Sequence, residues 1–463
     1  MSPSQPRVRF APSPTGYLHL GNVRTALFDW LYARQAGGTC LLRIEDTDES
    51  RNHPEWVDLI YKSLEWLGLG WDGEPTFQSK RFAAHRETAV RLADDGKAYY
   101  CDCTKEDVDR RLAERAAAGG DKTPGYDSFC RDRGLGAGDG RALRFRVPKD
   151  EVLVRHDVVY GTTEIDAASV EDFVILRSTG VPLYVFANAL DDVDDEITHV
   201  VRGSDHLNNV PKQMLLRRAL GLDDPVWVHV PLINAPNGKK LSKRRDKVAL
   251  DSFRAEGYLP EAMLNYLATL GWMPPSDSPD EPEIASLTSM VASFRLEDVS
   301  VSNARFDEQK LAAFNGIYLR RMPLDEFKVA AKEFYGGEKL DCIAEHVQSR
   351  VQRLDELGPM LGFLDALVVD DAAWEKAIAG IDAGVILGRV VDCYESAEWE
   401  AAHLHGAAQR VADEASTSLR KAQAPIRVSV TGSLVGPPLF ESLVCLGREE
   451  TLARLRGALA RLG

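Results

Sequence analysis

The first fifty residues alternate between apolar runs and polar turns in the order strand, turn, helix, strand. Val8 to Phe10 is a short apolar run that ends in a proline-rich turn at 11–16. Apolar residues then recur at helical spacing, which predicts a helix with one buried face; they are Val23, Ala26, Leu27, Trp30 and Leu31. Thr39 to Ile44 is a second apolar run and predicts a strand. This βαβ order predicts a parallel sheet that binds ligands at its strand ends.

The pattern continues through the middle of the chain with one interruption. The predicted helices lie at 55–67, 81–95 and 212–220, and the predicted strands at 181–186, 197–201 and 227–233. Between these elements, residues 99–180 contain a charged helix at 105–118, a glycine-rich stretch, and alternating strands at 144–147 and 152–159. We interpret residues 99–180 as an insertion that splits a nucleotide-binding domain into two halves.

The remaining residues have mostly helical periodicity. Helices are predicted at 259–270 and 307–320, with a linker rich in Pro, Ser and Asp at 273–283. After residue 323 the pattern stays helical, except that 426–430 alternates like a strand. The predicted fold class is therefore α/β. A Rossmann-type parallel-sheet domain, residues 1–98 and 181–250, is split by the insertion and followed by helical regions at 251–322 and 323–463.

Composition adds limits on size and location. A chain of 463 residues is too long for one core, so several domains are expected. No run approaches the ~18 apolar residues of a membrane span, and the N-terminus does not resemble a signal peptide, so we expect a cytoplasmic protein with no membrane partner. The net charge of −15 argues against nucleic acid. However, charges more than about 8 Å apart are screened, so local basic clusters such as 239–247 decide binding.

The seven cysteines are odd in number and spread widely, which argues against a disulfide framework. Cys101, Cys103 and Cys130 fall together in the insertion, and zinc in structural sites prefers four ligands that include thiolates. Free, partly buried thiols are the alternative. The isolated cysteines are interpreted as packing residues; they are Cys40, Cys342, Cys393 and Cys445.

Two distant segments carry the chemistry of a nucleotide. RFAPSPTGYLHLGN, residues 9–22, has glycines that let the backbone approach a ligand, and His19 lies near a helix N-terminus, where anions are favoured. KLSKR, residues 240–244, is a compact cationic loop. Taken alone, His19 is more simply a loop histidine. Together the two segments predict ATP binding and charge stabilisation at its α-phosphate during adenylation.

Longer strings extend this pattern. RFAPSPTGYLHLGNVRTALF and LLRIEDTD resemble bacterial glutamyl-tRNA synthetases, a family of class I aminoacyl-tRNA synthetases, and the likeness continues in order through PLYVFANALDD, ITHVVRGSDHL and KKLSKR to APIRVSVTG. The resemblance implies glutamate–tRNA ligase activity with ATP, Mg²⁺, L-glutamate and tRNA(Glu), in a monomer. It further implies that 99–180 binds the tRNA acceptor end, 251–322 contacts the stem and 323–463 binds the anticodon.

The resemblance also implies residue roles. Catalysis would fall to His19, Lys240 and Lys243. ATP would be bound by His19, Gly21, Asn22, Lys240, Ser242, Lys243 and Arg244. Glutamate would be bound by Arg9, Ser13, Glu45, Tyr184, Asn188 and Arg202. Asn22 stands where the family has a second histidine, and an amide can donate a hydrogen bond but carries no charge. An arginine fork suits a carboxylate, and glutamine would leave it unpaired at a cost on the order of 3–5 kcal/mol.

A metal site and an anticodon contact are implied as well. Cys101, Cys103, Tyr126 and Cys130 match the zinc ligands of a related glutamyl-transferring family, and Asp132 is an alternative fourth ligand at the position where some glutamyl enzymes have a histidine. Arg350 falls where an arginine of the family reads the anticodon, although a solvated helix arginine fits that position equally well.

Four other functions fit the sequence less well than glutamate–tRNA ligase activity. A glutaminyl synthetase is disfavoured by the helical C-terminal region, since that enzyme has a β-barrel there. A glutamyl-queuosine enzyme and a small-molecule nucleotidyltransferase would not need the residues after 323. A catalytically silent tRNA-binding paralogue is disfavoured because His19, Lys240 and Lys243 are all present. Whether tRNA(Gln) is also charged depends on a few anticodon contacts.

Overall fold

The structure, a computed structural model, describes residues 5–48, 51–119, 125–239, 241, 248–281 and 283–463. The chain forms two compact units. The first comprises Met1–Ser252 and Leu264–Asp307, and the second comprises Phe253–Met263 and Glu308–Gly463. The finer division into five regions stays a prediction.

The strands of the described chain are β1 (Arg7–Phe10), β2 (Thr39–Ile44), β3 (Thr76–Phe77), β4 (Ala98–Cys101), β5 (Ala142–Phe145), β6 (Val152–Asp157), β7 (Gly161–Asp166), β8 (Val174–Leu176), β9 (His199–Gly203), β10 (Val226–Val230), β11 (Ile233–Asn234) and β12 (Ala304–Arg305). The helices are α1 (Leu20–Gln35), α2 (Pro54–Leu67), α3 (Phe82–Asp94), α4 (Lys105–Ala117), α5 (Tyr184–Asp194), α6 (Val210–Ala219), α7 (Leu250–Ala255), α8 (Pro260–Thr269), α9 (Leu287–Ser293), α10 (Glu308–Arg321), α11 (Leu324–Lys332), α12 (Leu340–Gln348), α13 (Leu357–Leu361), α14 (Asp371–Ile378), α15 (Ala383–Ser396), α16 (Ala401–Glu414), α17 (Leu419–Thr431), α18 (Leu439–Leu446) and α19 (Arg448–Leu462).

The predicted parallel sheet is confirmed. Strand β1 pairs in parallel with β2, and β10 pairs in parallel with both β9 and β6. The two groups of strands meet where the Thr198 amide donates to the Arg7 carbonyl oxygen at 3.0 Å. Helix α1 packs its apolar stripe against β1, β2 and β9, which places the helix N-terminus beside the strand ends.

The insertion has a small sheet of its own, because β4, β5 and β8 form three antiparallel strands. The strand predicted at 152–159 behaves differently. It forms β6, which pairs with β10 and carries β7 as an antiparallel outer strand. Part of the sequence assigned to the insertion therefore extends the parallel sheet.

The strand predicted at 181–186 is wrong, since Tyr184 begins helix α5. The apolar run VPLYVF, residues 181–186, is typical of a strand, but the polar residues that follow it recur at helical spacing. Asn188, Asp191 and Asp192 are all buried in α5, and the following Asp195 is buried as well. Burial of so many polar groups requires specific partners. Asp192 and Asp195 bond arginines of the neighbouring strands, whereas Asn188 bonds Glu45 and Asp191 bonds His85.

The second unit is helical and has its own hydrophobic core. Members of that core include Leu319, Phe327, Ile343, Leu387, Tyr394, Val411 and Ile426. The strand-like run at 426–430 lies inside α17, where successive residues are buried because neighbouring helices cover the end of α17 on several sides. No helix in the described part of the chain is both long and apolar enough to cross a membrane.

The interpretation of Cys342 and Cys445 as isolated packing residues is wrong, because the two form a disulfide that joins α12 to α18. Their Cα atoms are 5.7 Å apart although 103 positions separate them in sequence. Spacing alone does not reveal such a pairing, because it depends on how two distant helices pack.

Candidate active site

A cleft of about 540 Å³ opens at the carboxyl ends of the parallel strands in the first unit. All the described residues predicted to bind ATP or glutamate line it, namely Arg9, Ser13, His19, Gly21, Asn22, Glu45, Tyr184, Asn188 and Arg202. Lys240, Ser242, Lys243 and Arg244 lie outside the described residues, whereas Leu241 and Val248 on either side also line the cleft.

The N-terminus of α1 lines this cleft. His19 caps the helix, and its Nδ1 accepts a hydrogen bond from the Asn22 amide at 3.2 Å. A neutral imidazole that accepts at Nδ1 carries its proton on Nε2, so that nitrogen can donate to an anion. A Cβ at Gly21 would lie 3.1 Å from the His19 ring, so glycine leaves room for the imidazole.

Residues 248–250, which follow the cationic loop in sequence, are joined to the histidine turn by backbone hydrogen bonds. The Leu20 amide donates to the Val248 carbonyl at 3.1 Å, and the Leu250 amide donates to the Leu18 carbonyl at 3.0 Å. These bonds place residues 248–250 against the turn that contains His19.

Arg9 belongs to a buried group that we call the charge-paired layer, composed of Arg9, Arg43, Asp192 and Asp195. Asp192 Oδ1 accepts from Arg9 Nε at 2.8 Å and from Arg43 Nη2 at 2.7 Å, and Asp195 Oδ2 accepts from Arg43 Nη1 at 3.0 Å. Burial alone would raise the pKa of Asp192, but the charges of Arg9 and Arg43 outweigh it and lower the pKa to about 2. Both arginines therefore have counter-ions within the protein.

Arg202 has a different environment, which we call the Arg202 cradle, composed of Arg202, His229, Gln213 and Asn188. Arg202 donates from Nε to His229 Nε2 at 3.1 Å and from Nη2 to Gln213 Oε1 at 2.8 Å. Its Nη1 is buried and makes no hydrogen bond within the described chain. Burial lowers the pKa of Arg202, as expected for a guanidinium with little compensating charge.

The cradle continues to Glu45, one of the residues predicted to bind glutamate. Gln213 Nε2 donates to Asn188 Oδ1 at 2.9 Å, and Asn188 Nδ2 donates to Glu45 Oε1 at 2.6 Å. Burial raises the pKa of Glu45, although the charges of Arg43 and Arg9 oppose this effect. Burial also raises the pKa of Tyr184 to about 12, so its hydroxyl keeps its proton. Arg202 and Glu45 thus both line the cleft, as separate groups of opposite charge.

Sequence reasoning missed five residues that hold these groups in place, namely Arg43, Asp157, Asp192, Gln213 and His229. Asp192 carried a usable signal, because it lies four residues after Asn188 within a predicted acidic segment. His229 carried none, since it lies within an apolar run that predicts only a strand.

The three cysteines of the insertion come together with Tyr126. Their sulfur atoms all lie within 4.8 Å of one another, and Cys103 Sγ is 3.4 Å from Cys130 Sγ. Tyr126 Oη lies 3.5 Å from Cys101 Sγ and 3.8 Å from Cys103 Sγ. Ligands about 2.3 Å from a tetrahedral zinc would be about 3.8 Å apart, so this geometry fits that ion. Asp132 is exposed and pairs with Arg146 instead.

Each of these sulfur atoms accepts a hydrogen bond from an arginine. The donors are Arg144 to Cys101 at 3.3 Å, Arg111 to Cys103 at 3.2 Å and Arg133 to Cys130 at 3.3 Å. The guanidinium of Arg144 also lies 3.6 Å from the centroid of the Tyr126 ring. Burial raises the pKa of Cys101, but hydrogen bonds from Tyr126 and Arg144 outweigh it and lower that pKa, whereas burial raises the pKa of Cys103 to about 11.

Arg350 lies in the second unit, just beyond the C-terminus of α12, and is exposed. Burial lowers the pKa of the neighbouring Arg427, and the positive charge of Arg350 adds to this effect. The charge of Glu441 opposes the effect of Arg350 on Arg427.

Comparisons with known proteins agree with this geometry. A family model described as "tRNA synthetases class I (E and Q), catalytic domain" matches residues 5–313, and "Anticodon binding domain" matches residues 322–459. The chain is 50% identical to the glutamate–tRNA ligase of Frankia casuarinae, covering 100% of this chain and 99% of that protein. The corresponding enzyme of Salinispora arenicola is 46% identical, over 98% of this chain and 99% of that protein.

Solved structures give the same result. A glutamate tRNA ligase from Elizabethkingia meningosepticum, in complex with its amino acid, is 31% identical with a TM-score of 0.86, covering 99% of this chain and 100% of that one. The glutamate-tRNA synthetase of Elizabethkingia anophelis has a TM-score of 0.84 over the same shares. The family matches together span both units, and the chain belongs to the class I tRNA synthetases of the E and Q group.

Proposed function

We propose that this chain is a glutamate–tRNA ligase that activates L-glutamate with ATP and transfers it to the 3′ end of tRNA(Glu). The observation that carries the proposal is Arg202, a buried arginine that lines the cleft and whose Nη1 has no partner among the described residues. A carboxylate is the group that such a donor binds most strongly. The names of the relatives at 46–50% identity support the same substrate.

The first step joins the amino acid to the nucleotide. An oxygen of the glutamate α-carboxylate attacks the α-phosphorus of ATP, and the bond from that phosphorus to pyrophosphate breaks. His19 donates to the phosphate groups, while Lys240 and Lys243 stabilise the negative charge that develops there. Gly21, Asn22, Ser242 and Arg244 complete the nucleotide site. Mg²⁺ accompanies ATP and supplies further positive charge at the phosphates.

Glutamate is held by groups on both sides of the cleft. Arg202 binds the side-chain carboxylate, and Glu45 binds the α-ammonium group. Arg9, Ser13, Tyr184 and Asn188 complete the pocket. In the second step a hydroxyl of the terminal ribose attacks the activated carbonyl carbon, and AMP leaves with the electrons of the broken bond.

The insertion holds a structural zinc ion through Cys101, Cys103, Tyr126 and Cys130. Such an ion would stabilise the fold around the cysteines and would take no part in adenylation, because the cluster lies in the insertion rather than in the cleft. Tyr126 is the better fourth ligand, since Asp132 forms an ion pair with Arg146 on the surface.

The tRNA would contact the second unit through basic residues that include Arg350. We expect the enzyme to act as a monomer in the cytoplasm. The family match to an anticodon-binding domain supports RNA as the partner of this unit.

The test is glutamate-dependent ATP–pyrophosphate exchange, measured with and without tRNA. Exchange in at least one condition is expected, and folded protein that exchanges in neither overturns the proposal. Lys243→Ala should lower kcat by orders of magnitude with the fold intact. Lys239→Ala, in the same loop region but without an assigned role, is the matched control and should leave kcat nearly unchanged.

A further inference from the structure

Two buried residues, His229 and Asp157, continue from Arg202 across the neighbouring strands. His229 lies on β10 directly opposite Arg202 on β9, and Asp157 ends β6 on the other side of β10. The side chains of Asp157 and His229 are fully buried. The three residues form a row across three adjacent parallel strands, with Arg202 at the end that lines the cleft.

Hydrogen bonds fix the protonation of the imidazole. Asp157 Oδ2 lies 2.5 Å from His229 Nδ1, and Asp157 Oδ1 accepts from the amides of Val159 and Tyr160 at 3.0 and 2.9 Å. A carboxylate only accepts, so Nδ1 carries the proton and Nε2 must accept. Nε2 accepts from Arg202 Nε. Burial lowers the pKa of His229 to about 4 and the Arg202 charge acts in the same direction, while Asp157 opposes it, so the ring is neutral at pH 7.

Because His229 is a neutral acceptor, it leaves the charge of Arg202 intact, which an acidic acceptor would not do. His229 and Gln213 orient two nitrogens of Arg202 without cancelling its charge. A carboxylate in the place of His229 would form an ion pair with the guanidinium, as Asp192 does with Arg9. That pair would compete with an anionic substrate for the same charge.

We propose that Asp157 and His229 are positioning residues that determine specificity, because they hold Arg202 through a neutral acceptor and so reserve its charge for the side-chain carboxylate of the substrate. This inference rests on the proposed function. Asp157 acts through the tautomer of His229, His229 acts through the orientation of Arg202, and only Arg202 touches the amino acid.

Replacement of Asp157 by asparagine tests the tautomer. The backbone amides of Val159 and Tyr160 require an oxygen at one position, so the new NH₂ group faces His229. Nδ1 of His229 must then accept, so the proton of the ring moves to Nε2. The N–H groups of His229 Nε2 and Arg202 Nε then face each other with no acceptor between them. In pyrophosphate exchange we expect Asp157→Asn to raise the KM for glutamate about tenfold or more, with the KM for ATP within about twofold.

Two substitutions of His229 separate positioning from packing. His229→Gln puts an amide oxygen near the place of Nε2 and should keep the KM for glutamate within a few-fold of the wild type. His229→Asn reaches only the place of Nδ1 and should raise that KM as Asp157→Asn does. The two His229 variants test whether His229 positions Arg202 even if Asp157→Asn fails to fold.

The matched control is His85→Gln, which perturbs another buried histidine that pairs with an aspartate, at 2.8 Å from Asp191. It should leave the KM for glutamate unchanged. Equal KM values in His229→Asn, His229→Gln and the wild type overturn the inference while leaving the ligase function intact. Parallel increases in the KM values for glutamate and ATP also overturn it. Wild-type protein without exchange overturns the proposed function itself, and the inference with it.

Discussion

The charge-paired layer and the Arg202 cradle lie in the same unit and hold arginines by opposite means. Arg9 and Arg43 share the carboxylate of Asp192, so their charges are compensated before any ligand arrives. Arg202 is held by an imidazole and an amide, both neutral, and its Nη1 has no partner within the described chain. The comparison indicates that an arginine with a carboxylate partner stabilises the wall of a cleft. An arginine that is held by neutral groups keeps its charge for an anionic ligand.

The largest stability effect should come from breaking the charge-paired layer. Asp192→Asn removes the carboxylate shared by two buried guanidinium groups, so the free energy of unfolding should fall by about 3–5 kcal/mol. Denaturant titration measures this change. Glu151→Gln, which removes an exposed pairing with Arg218, is the control and should cost no more than about 1 kcal/mol. Equal losses in the two variants would contradict the assignment of Asp192 as a buried counter-ion.

The two regions should also lose stability in different pH windows. The pKa of His229 is about 4 in the folded chain and about 6.5 when unfolded, so the unfolded chain binds more protons between these values. Stability should therefore fall as the pH drops below 6.5, by on the order of 2 kcal/mol at pH 5. The pKa of Asp192 is about 2 in the folded chain and 3.8 when unfolded, so its contribution to the free energy of unfolding should be lost only as the pH falls from about 3.8 toward 2.

The measurement is the unfolding free energy of the wild type and of His229→Gln from pH 7.5 to 5. Glutamine does not titrate, so the variant should lack this part of the pH dependence. Identical slopes for the two proteins would show that folding does not lower the pKa of His229, which would contradict the buried, neutral ring.

The cysteine cluster extends the comparison to arginines that face thiols. Arg144→Met removes the donor to Cys101 and the cation beside Tyr126, so zinc should bind about tenfold more weakly, as measured by competition with a chromophoric chelator. Arg141→Met is the control, since Arg141 donates to the Gly136 carbonyl instead. Equal zinc affinities would remove Arg144 from the site, and no zinc binding by the wild type would leave the cysteines as free thiols.

The parts of the fold that depend on local pattern could be predicted from the sequence. The strand at Thr39–Ile44 has the predicted bounds, and the helix after the histidine turn follows from its apolar stripe. Helix α5 was missed because its first residues form an apolar run like a strand, while its polar residues find partners far away in the chain. Asp192 and Arg9 are 183 positions apart, and no periodicity links them.

The candidate site divides in the same way. The sequence could predict that His19, Glu45 and Arg202 line one cleft, because the strings that contain them are specific to a family. It could not predict the residues that hold Arg202, since Asp157 and His229 meet Arg202 only when three strands align. The disulfide between Cys342 and Cys445 depends likewise on the packing of two helices.

The central claim is that the uncompensated charge of Arg202 selects glutamate. The most direct test is the ratio of kcat/KM for glutamate to that for glutamine in pyrophosphate exchange, measured for the wild type and for Arg202→Gln. The account predicts a wild-type ratio of at least about 100, because glutamine leaves a buried guanidinium unpaired, and a ratio that falls toward 1 in the variant. A variant that keeps the wild-type ratio would contradict the account.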